Sequence, residues 1–273
     1  MQVQEYLRPG LFEDKTVFVT GGGSGINLGI ARSFAALGAS VGICGRTLEK
    51  LEAAKAELEK LGAEVSISVA DVRDFDATAA ALQETHDALG AIDCLVCGAA
   101  GNFLSPAEAL SPNGFKSVVD IDLLGSFNAA RAAFEQLRET RGNIIFVSAG
   151  QAFTPYFGQV HAGAAKAGVD NLMRNLALEW GRFGIRSNSI APGPIEGTEG
   201  FRRLATAAVL EPLKASIPVG RFGTVDDIGN AAAFLASPLA SFITGTLLIV
   251  DGGQNLPGSG IYSQTIMKAM SGK

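Results

Sequence analysis

The sequence predicts an α/β protein in which seven parallel strands form a doubly wound sheet within a single domain, 1–273. Three observations carry that expectation. Short apolar runs alternate with segments of helical period along the chain. Few hairpin signals join consecutive strands, so the crossovers are helical and the sheet is parallel and covered on both faces. A glycine-rich turn links the first strand to the first helix. The 273 residues could make two average domains, but no linker breaks the alternation, and one core of this size is readily buried.

The first strand, 16–20, is the run Thr16-Val17-Phe18-Val19-Thr20, and helix 26–38 opens behind the glycines that close it. Strand 40–44 leads into helix 47–61, where Leu51, Leu58 and Leu61 share one face and Gly62 supplies the stop. Strand 64–69, helix 74–89, strand 92–97, helix 112–138 and strand 143–148 repeat the unit. Helix 159–182 is dense in Ala, Gly and Leu with apolar residues on more than one side, so a neighbouring subunit is expected to cover part of it. Strand 185–190, helix 225–236 and strand 246–250 complete the series. The stretch 194–222, with Gly and Pro at both ends, is too long for an ordinary connection and reads as a lid over a site.

Composition narrows the function. Hydrophobic residues make up 47% and charged residues 18%, a balance that suits a compact chain. The net charge is −5 and there is no Lys/Arg block, so a polyphosphate backbone is not an expected partner. No apolar run reaches the roughly 20 residues of a membrane span. The N-terminus lacks the layout of a signal peptide, and the C-terminal Ala-Met-Ser-Gly-Lys lacks an SKL-type address, so the cytosol is the expected location. Cys94 and Cys97 have CxxC spacing but sit in a strand, where residues three apart face opposite ways; they read as core thiols. With only His86 and His161, no protein-built metal site is expected.

The stretch Thr20 to Gly29, "TGGGSGINLG", places backbone N–H groups and a helix N-terminus where a pyrophosphate can sit. Gly21, Gly23, Ser24, Gly25 and Ile26 are the candidate contacts. Asn27 stands where such loops carry a further glycine; a short polar residue is tolerable there and available to donate to phosphate. At the end of the second strand an NAD-preferring fold presents an acid, whereas this chain has Gly45 and Arg46. Arg46 can pair with a 2′-phosphate, which favours NADPH.

These motifs, with "ADV" at Ala70 to Val72, "CGAAGN" at Cys97 to Asn102, Lys166, "APGPI" at Ala191 to Ile195 and "DGG" at Asp251 to Gly253, resemble the short-chain dehydrogenase/reductase family from end to end. The resemblance implies a Rossmann fold in which Asp71 and Val72 flank the adenine and Ala99, Ala100 and Gly101 line the cofactor. It further implies that Lys166 holds the nicotinamide ribose, and that Pro192, Gly193, Ile195 and Thr198 border the nicotinamide. A homotetramer built through helices 112–138 and 159–182 is also implied.

The family's usual Tyr-x-x-x-Lys and Ser are absent: Ala162 stands four residues before Lys166, and the serine position is Ala149. Without either hydroxyl, ordinary carbonyl reduction loses its proton source and its oxyanion hydrogen bond. The family's asparagine is replaced by Asp122. Longer stretches, "AAGNFLSPAEALS" from Ala99, "DIDLLGSFN" from Asp120, "VHAGAAKAGVD" from Val160 and "APGPIEGTEGFRRL" from Ala191, resemble the family's NADPH-dependent 2,4-dienoyl-CoA reductases of peroxisomal type. That resemblance implies an acyl-CoA substrate in unsaturated fatty acid degradation, with Asp122 and Asp170 acting beside Lys166. Such a reduction needs a hydride at C5 and then a proton on carbon at Cα, which a carboxyl of raised pKa or a water it holds can deliver.

Lys166 and Asp170 are four apart on a helix and so able to meet. Asp122 could equally be a structural acid, and Asp170 only a partner for the lysine. Asn102 and Phe103 should border the acyl chain, Ser148 and His161 lie on the substrate side, and Arg202 with Arg203 could meet CoA phosphates. His161 is either a proton relay or a satisfied polar residue; Tyr156 is a further candidate for the missing phenol. Two alternatives stay open: another reductase of the family acting on acyl-CoA or small carbonyls, and a nucleotide-binding member without catalysis.

Overall fold

The computed structural model describes residues 7–204 and 207–256. Its centre is a seven-stranded sheet with strand order β3-β2-β1-β4-β5-β6-β7: β1 (Thr16–Thr20), β2 (Ser40–Gly45), β3 (Val65–Val69), β4 (Ile92–Cys97), β5 (Asn143–Val147), β6 (Arg186–Pro192) and β7 (Leu247–Val250). Every pairing is parallel. The chain winds outward from β1 to β3 and then restarts at β4 on the other side. The crevice beyond the C-terminal ends of β1 and β4, where Thr20 stands beside Cys44 and Cys97, is therefore the switch point at which such sheets bind ligands.

Helices cover both faces. One face carries α1 (Gly25–Ala36), α2 (Leu48–Glu59) and α9 (Val225–Ala236), with Ile30, Phe34, Leu51, Leu58 and Ile228 in its core. The other carries α3 (Phe75–Leu89), α5 (Gly125–Thr140) and α6 (Val160–Trp180), with Leu82, Ala133, Leu137, Val169 and Met173 packed on β4 and β5. α1 and α9 cross closely because Gly29 lacks a side chain: a Cβ there would stand 2.4 Å from Val225 Cβ. The two helices are thereby held tight under the cofactor loop. The three cysteines are free and buried, and burial raises their thiol pKa values, so they are core residues.

The expected helix 112–138 is three pieces. α4 (Pro112–Val119), started by a Ser111 cap on Gly114 N, gives way to a π turn at Asp120–Leu124 before α5. The single wide turn rotates the helix face, so that Asp122 points inward and is buried. Gly125 then lets α5 settle against Val72, whose Cγ2 would be 2.4 Å from a Cβ at that position. The lid segment 194–222 holds two short helices that its Gly/Pro punctuation did not signal, α7 (Glu199–Leu204) and α8 (Ala207–Ala215). Its base is pinned by a bridge between Ile195 and Gly223, with Gly223 N donating to Pro194 O at 3.0 Å. β5 ends one residue short of the expected strand and β6 runs on to Pro192. Among the described residues no helix is long and apolar enough to cross a membrane.

Candidate active site

The glycine turn after β1 takes the shape its sequence requires. Gly21 and Gly25 have φ of 69° and 61°, a region side chains resist. A Cβ at Gly21 would lie 3.0 Å from Ala99 Cα, so the turn runs hard against the strip that follows β4. Gly21 N and Gly22 N both donate to Cys44 O. Among the N–H groups left at the mouth of α1 are those of Gly23, Ser24, Gly25 and Ile26, with Ser24 extended at the N-cap and its side chain making no capping bond. Four groups thus suit an anion, and Gly21 contributes conformation in place of a donor.

Asn27 does not face that mouth. Its amide Nδ2 donates to Gly98 O at 2.8 Å and to Gly21 O at 3.3 Å, so the expected donation to phosphate is corrected: the side chain clasps two backbone carbonyls. Thr20 laces the same strip, its hydroxyl accepting from Gly98 N at 3.0 Å and Ala99 N at 3.2 Å. At the adenine end Arg46 is exposed and makes no ion pair or hydrogen bond among the described residues. Asp71 is gripped by Arg73 through two side-chain bonds, Nε to Oδ1 at 3.0 Å and Nη2 to Oδ2 at 2.5 Å. The guanidinium holds the Asp71 carboxyl below its usual range. Arg73 escaped the sequence reading, although an acid and an arginine two residues apart after a strand were its signal. Asn128, also missed, ties this corner to α5 by donating to Val72 O at 2.9 Å.

At the other end of the crevice Lys166 is buried on α6. Its ammonium donates to Val147 O at 2.8 Å and pairs with Asp122 Oδ2 at 3.2 Å. Asp122 is 1% exposed, and its other oxygen accepts from Gly101 N at 2.8 Å. The pair is therefore buried and held from four elements, the strip after β4, the π turn, β5 and α6. The expected meeting of Lys166 with Asp170 is corrected: the ammonium has turned to the carboxylate that the π turn brings in. Asp170 faces Ser148, after β5, and Ser189, on β6. Both hydroxyls lie near enough to favour its ionised form, yet neither they nor Oδ1 closes a hydrogen bond of ordinary geometry. Burial outweighs them and raises the Asp170 carboxyl above its usual range. Ser148 is accordingly placed beside Asp170 at 3% exposure, away from an open substrate surface.

A sign follows for stability. A carboxyl raised in the folded state adds stability that is complete below the ordinary carboxylate range and is lost as pH climbs through the raised value. Asp170→Asn has no such proton to lose. Thermal melts should therefore show the variant gaining on the parent protein as pH rises from acid toward neutral; parallel curves would mean that Asp170 titrates as it does in the unfolded chain.

Ala162, buried on α6 one turn before Lys166, and Ala149, after β5, offer no hydroxyl. His161 is fully buried, its ring stacked on Phe103 at 4.5 Å between centroids, and neither ring nitrogen makes a hydrogen bond among the described residues. Phe103 is 39% exposed, and Leu104 and Phe157 are exposed as well. Asn102 donates to Gln159 Oε1 at 2.6 Å, and Gln159 donates to Phe103 O, a contact with no signal along the chain. Tyr156 donates to Asn255 Oδ1 at 2.9 Å, with its hydroxyl beside Gly150. Ile195 is buried and Thr198 caps α7, its hydroxyl accepting from Phe201 N and donating to Ile195 O at 2.8 Å. Arg202 is exposed on α7, whereas the side chain of Arg203 lies outside the described residues. Pro192, Gly193 and Ala100 complete the rim at the strand ends, and a Cβ at Gly193 would meet Asp251 Cα at 2.7 Å. Among the described residues no three His, Cys, Asp or Glu side chains are placed to hold a metal ion.

The chemistry available is thus a phosphate-binding helix end, an arginine free for a further phosphate, and a buried ammonium–carboxylate pair with no phenol. A family model described as enoyl-(acyl carrier protein) reductase matches residues 21–255. A protein of Saccharomyces cerevisiae named peroxisomal 2,4-dienoyl-CoA reductase, (3E)-enoyl-CoA-producing, is 44% identical over 97% of this chain and 94% of its own length. A Bacillus subtilis protein named probable 2,4-dienoyl-CoA reductase, (2E)-enoyl-CoA-producing, is 42% identical over 89% of this chain and 97% of its own. The crystal structure of a short chain dehydrogenase from Bacillus anthracis is similar with a TM-score of 0.82 at 42% identity, covering 90% of this chain and 98% of that one.

Proposed function

The chain belongs to the short-chain dehydrogenase/reductase family, and on that premise we propose that it reduces 2,4-dienoyl-CoA esters with NADPH to 3-enoyl-CoA in the degradation of unsaturated fatty acids. The observation that carries the reading is the buried Lys166–Asp122 pair beside two alanines, a site equipped to handle a proton but not to donate one from a phenol. The names of the yeast and Bacillus relatives support the same substrate class.

The described residues fit NADPH. The four free N–H groups at α1 suit the pyrophosphate, and the unpaired guanidinium of Arg46 suits the 2′-phosphate. When bound, NADPH supplies the hydride that the diene accepts at C5. The protein's part is to hold charge and deliver a proton. Negative charge would then be shared by C4, C2 and the thioester oxygen, and the buried Lys166 ammonium offers a fixed positive charge to that anion. Asp122 holds that ammonium and, by Gly101, the strip that borders the substrate. A proton placed at Cα leaves a 3-enoyl ester, and one placed at Cγ leaves a 2-enoyl ester, so the acid's reach along the chain sets the product. A water held at the Asp122 carboxylate is our candidate for delivering that proton, and Asp170, one helical turn beyond Lys166, for the group that holds a proton in reserve.

Oxidation of NADPH followed by absorbance tests this. Hexadienoyl-CoA and decadienoyl-CoA should both support it while acetoacetyl-CoA does not, and NMR of the product should show the double bond at C3. Binding of NADPH without oxidation by any ester would replace the reading with that of a non-catalytic member, and a 2-enoyl product would move the acid toward Cγ.

A homotetramer is part of the proposal, supported by Phe127 on α5 and Leu178 on α6, large apolar side chains left exposed on the two helices expected to meet a neighbour. Light scattering of the same preparation reads the mass. The cytosol remains the proposed location. Three free cysteines suit a reducing compartment, and cell fractionation tests this against the peroxisome that the yeast relative's name gives for that protein.

A further inference from the structure

Asn27 occupies space that belongs, in outline, to residue 98. A Cβ built on Gly98 would lie 2.1 Å from Asn27 Oδ1 and 2.5 Å from its Cγ, contacts no real side chain makes. The amide fills the gap left by the missing side chain and uses both of its donor hydrogens there, on Gly98 O and Gly21 O. A Cβ on Gly21 would in turn lie 2.9 Å from Asn27 Nδ2. The three positions are therefore packed as one unit: two glycines make the room, and one amide joins their carbonyls.

The unit sits between two parts of the site. On one side is the turn whose next N–H groups face the pyrophosphate. On the other is the strip 98–101, fixed at its start by Thr20 and Asn27 and at its end by Gly101 N donating to Asp122. A loss of the clasp frees the strip at the end opposite Asp122. The carbonyls of Gly21 and Gly98 would then lack their buried donor, and the turn would no longer be held in the left-handed shape that presents its N–H groups.

We propose that Asn27 and Gly98 form a reciprocal size exchange, with the asparagine acting as a positioning residue that ties the cofactor turn to the strip carrying Asp122. Its side-chain amide is spent on the two backbone carbonyls, so it acts on cofactor binding through the turn it holds. The proposal rests on NADPH being the cofactor and not on the identity of the ester, so it is read by cofactor binding.

NADPH titration by fluorescence, with thermal melts alongside, tests it. Asn27→Gly and Gly98→Asn should each raise the Kd for NADPH about tenfold, the first by removing the clasp and the second by forcing two side chains into one space. The double variant, which exchanges the two residues, should return the Kd to within about threefold of the parent. A simple loss of stability would leave the double variant as weak as the sum of its parts. Unchanged binding in Asn27→Gly, or additive losses in the exchange, would overturn the proposal; a parent protein that fails to bind NADPH would overturn the cofactor reading beneath it.

Discussion

Asp122→Asn lowers kcat for a dienoyl-CoA ester by about a hundredfold while the Kd for NADPH stays within about threefold, the range expected for loss of one proton-transfer group. The substitution is close to isosteric. Its carbonyl oxygen can still accept from Gly101 N, so the strip keeps its anchor. What changes is the atom facing Lys166: an amide N–H replaces a carboxylate oxygen at 3.2 Å, and two donors then oppose each other in a buried site. The ammonium is left with Val147 O, and a buried charge without its counter-ion is expected to destabilise by about 3–5 kcal/mol. Thermal melts therefore accompany the kinetics. Asp122→Ala removes the anchor as well and should do at least as much damage. Undiminished turnover in a folded Asp122→Asn protein would exclude this carboxyl from the mechanism.

Arg46→Ala raises the Kd for NADPH about thirtyfold and that for NADH less than about twofold, as expected for the loss of a charge-assisted contact to one phosphate. The guanidinium lies at the end of β2, exposed and without a protein partner among the described residues, so no folded-state contact is lost with it. Asp71 nearby does not neutralise it, because that carboxylate is already held by Arg73. Exposure also makes the contact sensitive to salt, and the difference between the two cofactors should shrink as ionic strength rises. Equal weakening of both cofactors would show that Arg46 shapes the loop and does not select the 2′-phosphate.

Several features of the site escape a reading along the chain for the same physical reason. Lys166 has a carboxylate four residues on, at Asp170, and helical spacing alone makes that pair look natural. The structure gives the ammonium to Asp122 instead, because a π turn at Asp120–Leu124 swings that side chain under α6, and nothing in "DIDLL" announces the turn. Asn27 looks like a flaw in a glycine motif until Gly98, in another βα unit, is found to make its room. Gln159 enters the site through partners 57 and 56 residues away, Asn102 and Phe103, that only the folded loops place.

The sequence by itself determined the sheet, its parallel winding, the glycine turn after β1, an arginine in place of an acid at the end of β2 and the absence of the phenol at Ala162. These are local properties: burial on both faces writes a strand as a continuous apolar run, a helix repeats at its own period, and a turn needs glycine at the residues it bends. Tertiary structure alone decided which carboxylate faces Lys166, what Asn27 binds, and that Asp170 lies among hydroxyls beneath the crevice. Those depend on residues from separate crossovers meeting at the strand ends, where distance in space is set by how helices seat on the sheet and not by their spacing in the chain.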